Sequence, residues 1–418
     1  MKNVISALLE RGFIDQITSE ELKTHVLKPM KLYHGIDPTA DSLHLGNLVG
    51  VVALAWFHKF GHTVYPIVGG ATGRIGDPSG KSTERPLLTE ETLGHNVERL
   101  ESFLQGLLPG VKVLDNYDWL GAFSLIDFLR DVGKHFRVGP MLGKEMVRLR
   151  IQSEEGISFT EFSYQLLQGY DFYHLHQKYG VTLQIGGSDQ WGNITAGIEF
   201  NRKMGGDPIY GLTYPLLTRS DGKKFGKSEE GTIWLSADRL SPYQFYQYLY
   251  RVPDADVIRL MKMLTFLEMA EIRSIEAEMQ QKNYVPNTAQ KKLAEEVTRF
   301  VHGEEGLQAA LRVTEGIAPG SASQLSGTVL KELAGDMPHT TLSYSEVIGQ
   351  KFVDIATKAG LTPSKSEATR LIKNGGAYLN NERISDPAFS LEDSHLIDGA
   401  YLVVSSGKKK RILITVVR

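Results

Sequence analysis

Short apolar runs alternate with stretches of helical period through the first half of the chain. Lys31 to Gly35 and Thr63 to Val68 read as strands, and Val111 to Leu114 and Val181 to Ile185 repeat the pattern. Ser42 is predicted to cap a helix reaching Phe60, with Gly61 closing it. Thr89 opens another helix, with Glu90 and Glu91 in its first turn, where the positive end of the helix dipole favours carboxylates. Ser158 and Glu161 form a capping-box pattern for a helix ending near Gly180, and a further helix covers Asp189 to Met204. Such alternation predicts an α/β fold: a Rossmann-like parallel sheet, covered by helices on both faces, over residues 1–220.

The pattern changes after a basic loop at residues 221–235. Ser241-Pro242 and Pro253-Asp254 read as helix starts, and helical period dominates to about Glu315, which gives an α-helical domain over 236–320. Gly316 to Gly327 is rich in small residues, and 321–343 is read as a linker. The tail, 344–418, predicts a small α+β domain: a short basic helix, a hairpin turning at Asn380-Asn381, and the basic run Lys408 to Arg411 before a last strand.

Composition narrows the choices. The 418 residues are 41% hydrophobic and 23% charged, enough apolar material for several cores. A formal net charge of −3 supplies no global basic field, so any nucleic-acid contact must come from local patches. There is no cysteine, which excludes disulfides, thiolate metal sites and cysteine nucleophiles. No apolar stretch approaches the ~20 residues of a membrane span. With no leader pattern at the N-terminus, a cytoplasmic protein is expected.

Three clusters carry chemistry. The first, Tyr33-His34-Gly35-Ile36-Asp37-Pro38-Thr39, runs into His44-Leu45-Gly46-Asn47. His44 and Asn47 share a face of a first helical turn, where free backbone N–H groups suit phosphate oxygens. Gly46 lets a ligand come close to the backbone. On its own, H-x-x-N also fits an ordinary helix start. The second, Lys223-Lys224-Phe225-Gly226-Lys227-Ser228, offers positive charge to a polyphosphate, or is a solvated basic loop. The third is Tyr164, Gln168 and Asp171, at i, i+4 and i+7 among Phe162, Leu166, Leu167 and Phe172. A phenol, an amide and a carboxylate on a buried stripe need hydrogen-bond partners, from a ligand or from an internal network. Gly80-Lys81-Ser82 is no phosphate-binding P-loop, since Ile75 stands where that motif needs glycine and Pro86 interrupts the following helix. No G-x-G-x-x-G supports a redox dinucleotide.

His44 to Asn47 and Lys224 to Ser228 together resemble the two signature sequences of class I aminoacyl-tRNA synthetases. Asn47 takes the place of a second histidine, and Phe225-Gly226 the place of Met-Ser. Longer runs are similar to the bacterial-type tyrosyl-tRNA synthetases: Tyr33 to Asn47, Val68 to Arg85, Asn116 to Asp118, Arg130 to His135, Ile157 to Asp171 and Leu183 to Ala196. The resemblance implies activation of L-tyrosine by ATP with Mg2+, then transfer to tRNA(Tyr). By that resemblance Tyr33 and Asp171 bind the phenol, while Asp77, Tyr164, Gln168 and Gln190 bind the rest of tyrosine around its ammonium. Asp37, Thr39, His44, Asn47, Gly186, Asp189 and Gln190 surround ATP and the adenylate. Lys81, Arg85, Lys224, Lys227 and Ser228 meet the phosphates. His34 stands where several relatives have cysteine. No metal site built from protein ligands is implied.

In the tail, Ser364 to Gly376 resembles an RNA-binding module shared with a small-subunit ribosomal protein. Lys365, Arg370 and Lys373, with Lys408, Lys409, Lys410 and Arg411, are its expected phosphate contacts. A homodimer is implied, with the apolar surface around Asn116 to His135 as its candidate face. Two rivals stay open: a tryptophanyl enzyme of the same architecture, and a non-catalytic RNA-binding paralogue.

Overall fold

A computed structural model describes residues 3–80, 83, 87–222, 225–228, 231–316, 327, 330, 337–407 and 410–418. The chain forms two compact units, residues 1–240 with 249–301, and residues 241–248 with 302–418.

The first unit is built on a six-stranded sheet of β1 (Gln16–Ile17), β2 (Lys31–Ile36), β3 (Thr63–Val68), β4 (Leu114–Asp115), β5 (Leu183–Gly187) and β6 (Tyr210–Tyr214). Their order is β1-β6-β5-β2-β3-β4; β1 runs antiparallel to β6 and the remaining pairs are parallel. Every residue of β5 and β6 is buried, as expected of parallel strands covered on both faces. β2 and β5 are neighbours, with Tyr33 opposite Gln184. From that junction the chain continues to β3 and β4 on one side and to β6 on the other. This is a topological switch point, where a crevice opens beyond the carboxyl ends of the strands.

Two helices flank the crevice. Leu45–Lys59 follows β2 and is almost wholly buried, with Leu48, Val51, Val52 and Leu54 in the core. Phe159–Tyr179 precedes β5 and ends at Gly180, whose φ of 70° suits a glycine that closes a helix.

Several local expectations need correction. The Leu45–Lys59 helix is capped by His44, not Ser42. The Asn47 side chain reaches back to accept the His44 N–H at 3.1 Å, while the Ser42 hydroxyl lies 2.7 Å from that of Ser236. A residue with a distant partner of that kind is unavailable as a local cap. The strand expected at Val111 to Leu114 begins only at Leu114, and the one expected at Val181 to Ile185 runs two residues later, Leu183–Gly187. Pairing with β3 and with β2 and β6, rather than apolar content, sets those ends. The helix expected from Asp189 starts at Trp191, after a tight turn over Ser188–Gln190. Ser158 does cap its helix, accepting the Glu161 N–H at 3.2 Å. The Glu161 carboxylate is spent on Arg150, 2.6 Å away with both side chains buried.

A two-stranded ribbon, β7 (Lys227–Ser228) with β8 (Gly231–Thr232), and helices Asp254–Leu264 and Met269–Glu278 also belong to the first unit. The Thr288–Gly316 helix breaks at Gly303, whose φ of 70° is non-helical.

The second unit holds a five-stranded sheet of β9 (His339–Ser343), β10 (Ala377–Leu379), β11 (Glu382–Arg383), β12 (Tyr401–Ser406) and β13 (Lys410–Val417), in the order β11-β10-β12-β13-β9. Residues 339–343, read from sequence as linker, are a strand parallel to β13. Five residues with little apolar character carry no strand signal until β13 offers an edge. Most of the remaining linker segment lies outside the described residues. The hairpin at Asn380-Asn381 is present, both residues having positive φ (48° and 72°), as a tight two-residue turn requires. Phe352, Ile355, Leu402 and Ile414 lie in the core of this unit.

Candidate active site

The carboxyl ends of the central strands deliver the polar residues. β2 runs through Tyr33 and His34 to Asp37, β3 into Gly69-Gly70, β4 into Asn116, and β5 through Gly186 into Asp189 and Gln190. The Phe159–Tyr179 helix lays Tyr164, Gln168 and Asp171 along the same crevice, all buried.

Asp171 is the most constrained of these. Its two oxygens accept from the Trp119 Nε1–H at 2.7 Å and the Asn116 Nδ2–H at 3.0 Å. Burial nonetheless raises its pKa to about 7, against the pull of those two donors. Tyr33 is 1% exposed and packs edge-on against Phe172, with ring centroids 5.3 Å apart. Its hydroxyl has no hydrogen-bond partner among the described residues. Burial raises the Tyr33 pKa, and the Asp171 charge adds to the effect; Tyr33 shares a buried cluster with Trp119, the donor to Asp171.

A second network lies along the crevice. Tyr164 donates to Asp37 at 2.8 Å, Thr72 donates to the other Asp37 oxygen at 2.7 Å, and Asn116 joins Thr72 to Asp171. Gln168 donates to Gln190 at 3.2 Å, and Gln190 to Asp77 at 2.6 Å. Asn193 lies 3.4 Å from Asp77 and 3.3 Å from Gln190. Gly69 is indispensable here, because a Cβ would stand 2.2 Å from Asp37 Oδ1 and 2.3 Å from Thr72 Oγ1.

His34 is a buried, neutral ring. Burial lowers its pKa to about 4, and Nε2 lies 2.8 Å from the Tyr214 hydroxyl. Nδ1 has no partner among the described residues. Gly50 makes room for the pair, since a Cβ there would approach His34 Nε2 to 2.5 Å and Tyr214 Oη to 2.7 Å.

The two signature segments meet. His44 forms a β-bridge with Trp234, Leu45 N–H donates to Ile233 O at 2.8 Å, and Ile233 N–H donates to Gly226 O at 2.9 Å. Gly226 has φ 87°, and a Cβ on it would lie 3.2 Å from Gly46 N and from Leu45 Cβ. A pocket beside this junction is lined by Asp37, Thr39, His44, Asn47 and Trp234, among others. The structure therefore gathers Tyr33, Asp37, Thr39, His44, Asn47, Asp77, Tyr164, Gln168, Asp171, Gly186, Asp189 and Gln190 around the carboxyl edge of one sheet. The backbone of Lys227 and Ser228 pairs with Thr232 and Gly231 beside them. Lys81, Arg85 and Lys224 lie outside the described residues, as do Lys408 and Lys409.

Sequence reasoning gave no site role to Asn116, Trp119, Thr72 or Asn193. Asn116, Thr72 and Asn193 stood inside the runs similar to the tyrosyl enzymes, which was the available signal. Trp119 stood only in the segment expected to form a dimer face.

In the second unit, Arg370 and Lys373 are exposed on the side of the Lys365–Lys373 helix away from buried Ala368 and Ile372. Lys365 lies 2.5 Å from Asp354. Lys410 donates to the carbonyls of Gly360 and Leu361 at 2.6 and 3.0 Å, tying β13 to the end of the Phe352–Lys358 helix. Arg411 is half-buried in β13.

Fold and crevice together define a class I aminoacyl-tRNA synthetase: the family model described as "tRNA synthetases class I (W and Y)" matches residues 25–317. A second model, "Tyrosine--tRNA ligase SYY-like C-terminal domain", matches 330–414. The chain belongs to the tyrosine–tRNA ligases, the tyrosine-specific aminoacyl-tRNA synthetases. It is 55% identical over 421 residues to a tyrosine–tRNA ligase of Protochlamydia amoebophila, covering 99% of each chain. It is 49% identical to the chloroplastic/mitochondrial enzyme of Arabidopsis thaliana, over 99% of this chain and 84% of that one. A C-terminally truncated mitochondrial tyrosyl-tRNA synthetase of Aspergillus nidulans superposes with TM-score 0.66 at 32% identity, over 74% of this chain and 92% of that one. Among the described residues no helix is long and apolar enough to cross a membrane.

Proposed function

We propose that the crevice binds tyrosine by its hydroxyl and ATP by its phosphates, and that the named residues divide this work as follows. Asp171, held by Trp119 and Asn116, accepts the phenol proton in a hydrogen bond, and Tyr33 supplies the second contact. Asp77, Tyr164, Gln168 and Gln190 receive the ammonium end. Asp37, Thr39, His44, Asn47, Gly186 and Asp189 hold ATP and then the adenylate. Lys81, Arg85, Lys224, Lys227 and Ser228 take the pyrophosphate side. Mg2+ arrives with ATP as part of the substrate, bound to its phosphates.

Chemically, the tyrosine carboxylate attacks the α-phosphorus, the bond to the β-phosphate oxygen breaks, and pyrophosphate leaves. The nucleophile is already ionised, so no general base is needed. The task is to stabilise charge spreading onto phosphate oxygens, which positioned N–H donors and lysines do. A hydroxyl of the terminal tRNA ribose then attacks the adenylate carbonyl and AMP leaves.

The observation that carries this reading is Asp171, fixed by two donors, and a buried Tyr33 hydroxyl with no hydrogen-bond partner among the described residues. A buried hydroxyl of that kind is costly unless a ligand completes it. Phenylalanine would leave both groups unsatisfied; in tyrosyl enzymes that penalty is a measured selectivity of ~10⁵, a property of the family rather than a product of this geometry. Tryptophan has no phenol to satisfy the pair.

The second unit is proposed to contact tRNA through Arg370 and Lys373. For Lys410 and Lys365 the neighbouring carbonyls and Asp354 compete with phosphate. The domain limits read from sequence, catalytic 1–220, loop 221–235 and helical 236–320, stand as part of this proposal. The linker read as 321–343 ends before the 339–343 strand, so the RNA-binding domain read as 344–418 begins at 339. The proposal includes a cytoplasmic homodimer. Its candidate face is supported by exposed Tyr117, Leu125, Ile126 and Leu129.

ATP–pyrophosphate exchange with each of the twenty amino acids tests the reading. Exchange with tyrosine alone is expected; exchange with tryptophan, or with none, would overturn it.

A further inference from the structure

The Asp254–Leu264 helix holds a carboxylate that the chemistry above does not use. Asp256, in its first turn, is 1% exposed. One oxygen accepts the Ser220 backbone N–H at 2.9 Å and the other the Ser220 hydroxyl at 3.1 Å. Its cation, Arg259, stands at 3.5 Å with 44% of its own side chain exposed. Arg259 also donates to the carbonyl of Thr218. A buried carboxylate satisfied mainly by one residue of another segment adds little to stability, because desolvation cancels much of the attraction. It does fix that residue's position and orientation at two points.

What Ser220 carries makes the fixing consequential. Phe225 N–H donates to Leu217 O at 3.1 Å, so the segment turns back on itself around Ser220. Phe225 is 5% exposed, and Gly226 lies against Leu45 and Gly46 at the start of the His44-capped helix. The backbone of Lys227 follows directly, in β7 (Lys227–Ser228) paired with β8 (Gly231–Thr232). The path from Asp256 to Lys227 consists of described hydrogen bonds and packed backbone.

We propose that Asp256 is a positioning residue for tyrosine activation, acting through Ser220 on the Phe225–Ser228 segment; this rests on the reading that Lys227 serves the pyrophosphate side. Asp256 touches no substrate. Its contribution is to hold the leaving-group lysine in register with His44, where a displacement of about 1 Å costs on the order of 10²-fold in rate.

The test uses full-length enzyme carrying Asp256→Ala, Asp256→Asn, Ser220→Ala, Lys227→Ala, or Asp256→Ala with Lys227→Ala. Active sites are titrated by the burst of adenylate formation, so that misfolded protein lowers the amplitude and not the rate. Asp256→Ala is expected to lower kcat per site for pyrophosphate exchange at least ~10-fold. KM for tyrosine should stay within about 3-fold, since the tyrosine pocket is untouched. Asp256→Asn, which keeps one acceptor, should recover part of the rate, and Ser220→Ala should lose about 3-fold. In the Lys227→Ala background the Asp256 substitution should add almost nothing, because both act on one element. Wild-type rate per site in Asp256→Ala, or full additivity with Lys227→Ala, would overturn the proposal. An undiminished rate in Lys227→Ala alone would overturn instead the reading on which it rests.

Discussion

Tyr33→Phe removes one oxygen from a ring that is otherwise packed against Phe172 and the Trp119–Leu120 cluster. Because the hydroxyl makes no hydrogen bond to the described protein, its loss takes no hydrogen bond from the fold. The melting temperature of the free enzyme should therefore hold or rise by a few degrees, since losing a buried unsatisfied hydroxyl relieves ~1–3 kcal/mol. The phenol of tyrosine, in contrast, loses a neutral partner worth ~0.5–1.5 kcal/mol, or about 2- to 13-fold in kcat/KM for activation. Phenylalanine leaves one fewer group unsatisfied in the variant than in the wild type, so its kcat/KM should stay level or rise. The ratio of the two substrates in pyrophosphate exchange should thus fall by about 2- to 13-fold from the loss on tyrosine, and further if phenylalanine gains. A ratio unchanged within about 2-fold would refute the placement of this hydroxyl on the phenol. A fall in rate for both substrates, with a melting temperature lowered by more than about 5 °C, would show that the ring matters to the fold instead.

The Asp171 pKa of about 7 gives a second handle. If the phenol donates to the ionised carboxylate, tyrosine affinity measured by calorimetry should weaken as pH falls below about 7, approaching tenfold per unit, and Asp171→Asn should bind weakly with no such slope. The stability contribution has the opposite sign: a carboxyl raised in the folded state holds its proton more tightly than in the unfolded chain, so stability falls as pH rises from about 4 to 7. The wild-type minus Asp171→Asn difference in melting temperature across that window checks the sign. Gly226→Ala places a Cβ against Gly46 at φ 87°; pyrophosphate exchange should drop at least ~10-fold with tyrosine affinity kept, and normal exchange would mean the segment relaxes freely. Arg370→Ala with Lys373→Ala should spare exchange, weaken tRNA charging, and reduce the salt dependence of tRNA binding by up to two phosphate contacts. An unchanged slope would remove that helix from the RNA contact.

Much of the molecule is legible in its sequence, and the legible parts share a property: their physics is local. The strand and helix alternation, the Thr89 and Ser158 caps, the Asn380-Asn381 turn and the one-sided stripe of Tyr164, Gln168 and Asp171 depend on residues a few positions apart. The signature segments could be read as phosphate-binding chemistry for the same reason. Tertiary structure decided what each polar group is bonded to. Asp171 is held from Asn116 and Trp119, 55 and 52 residues away, and Ser42 is diverted from capping by Ser236, 194 residues on. β9 exists because β13 offers it an edge, and Asp256 matters because Ser220 stops beside it. Side-chain periodicity records which face of an element is buried. The partner waiting on that face is set by strand order and packing, and those long-range pairings decided which of the polar residues became a site.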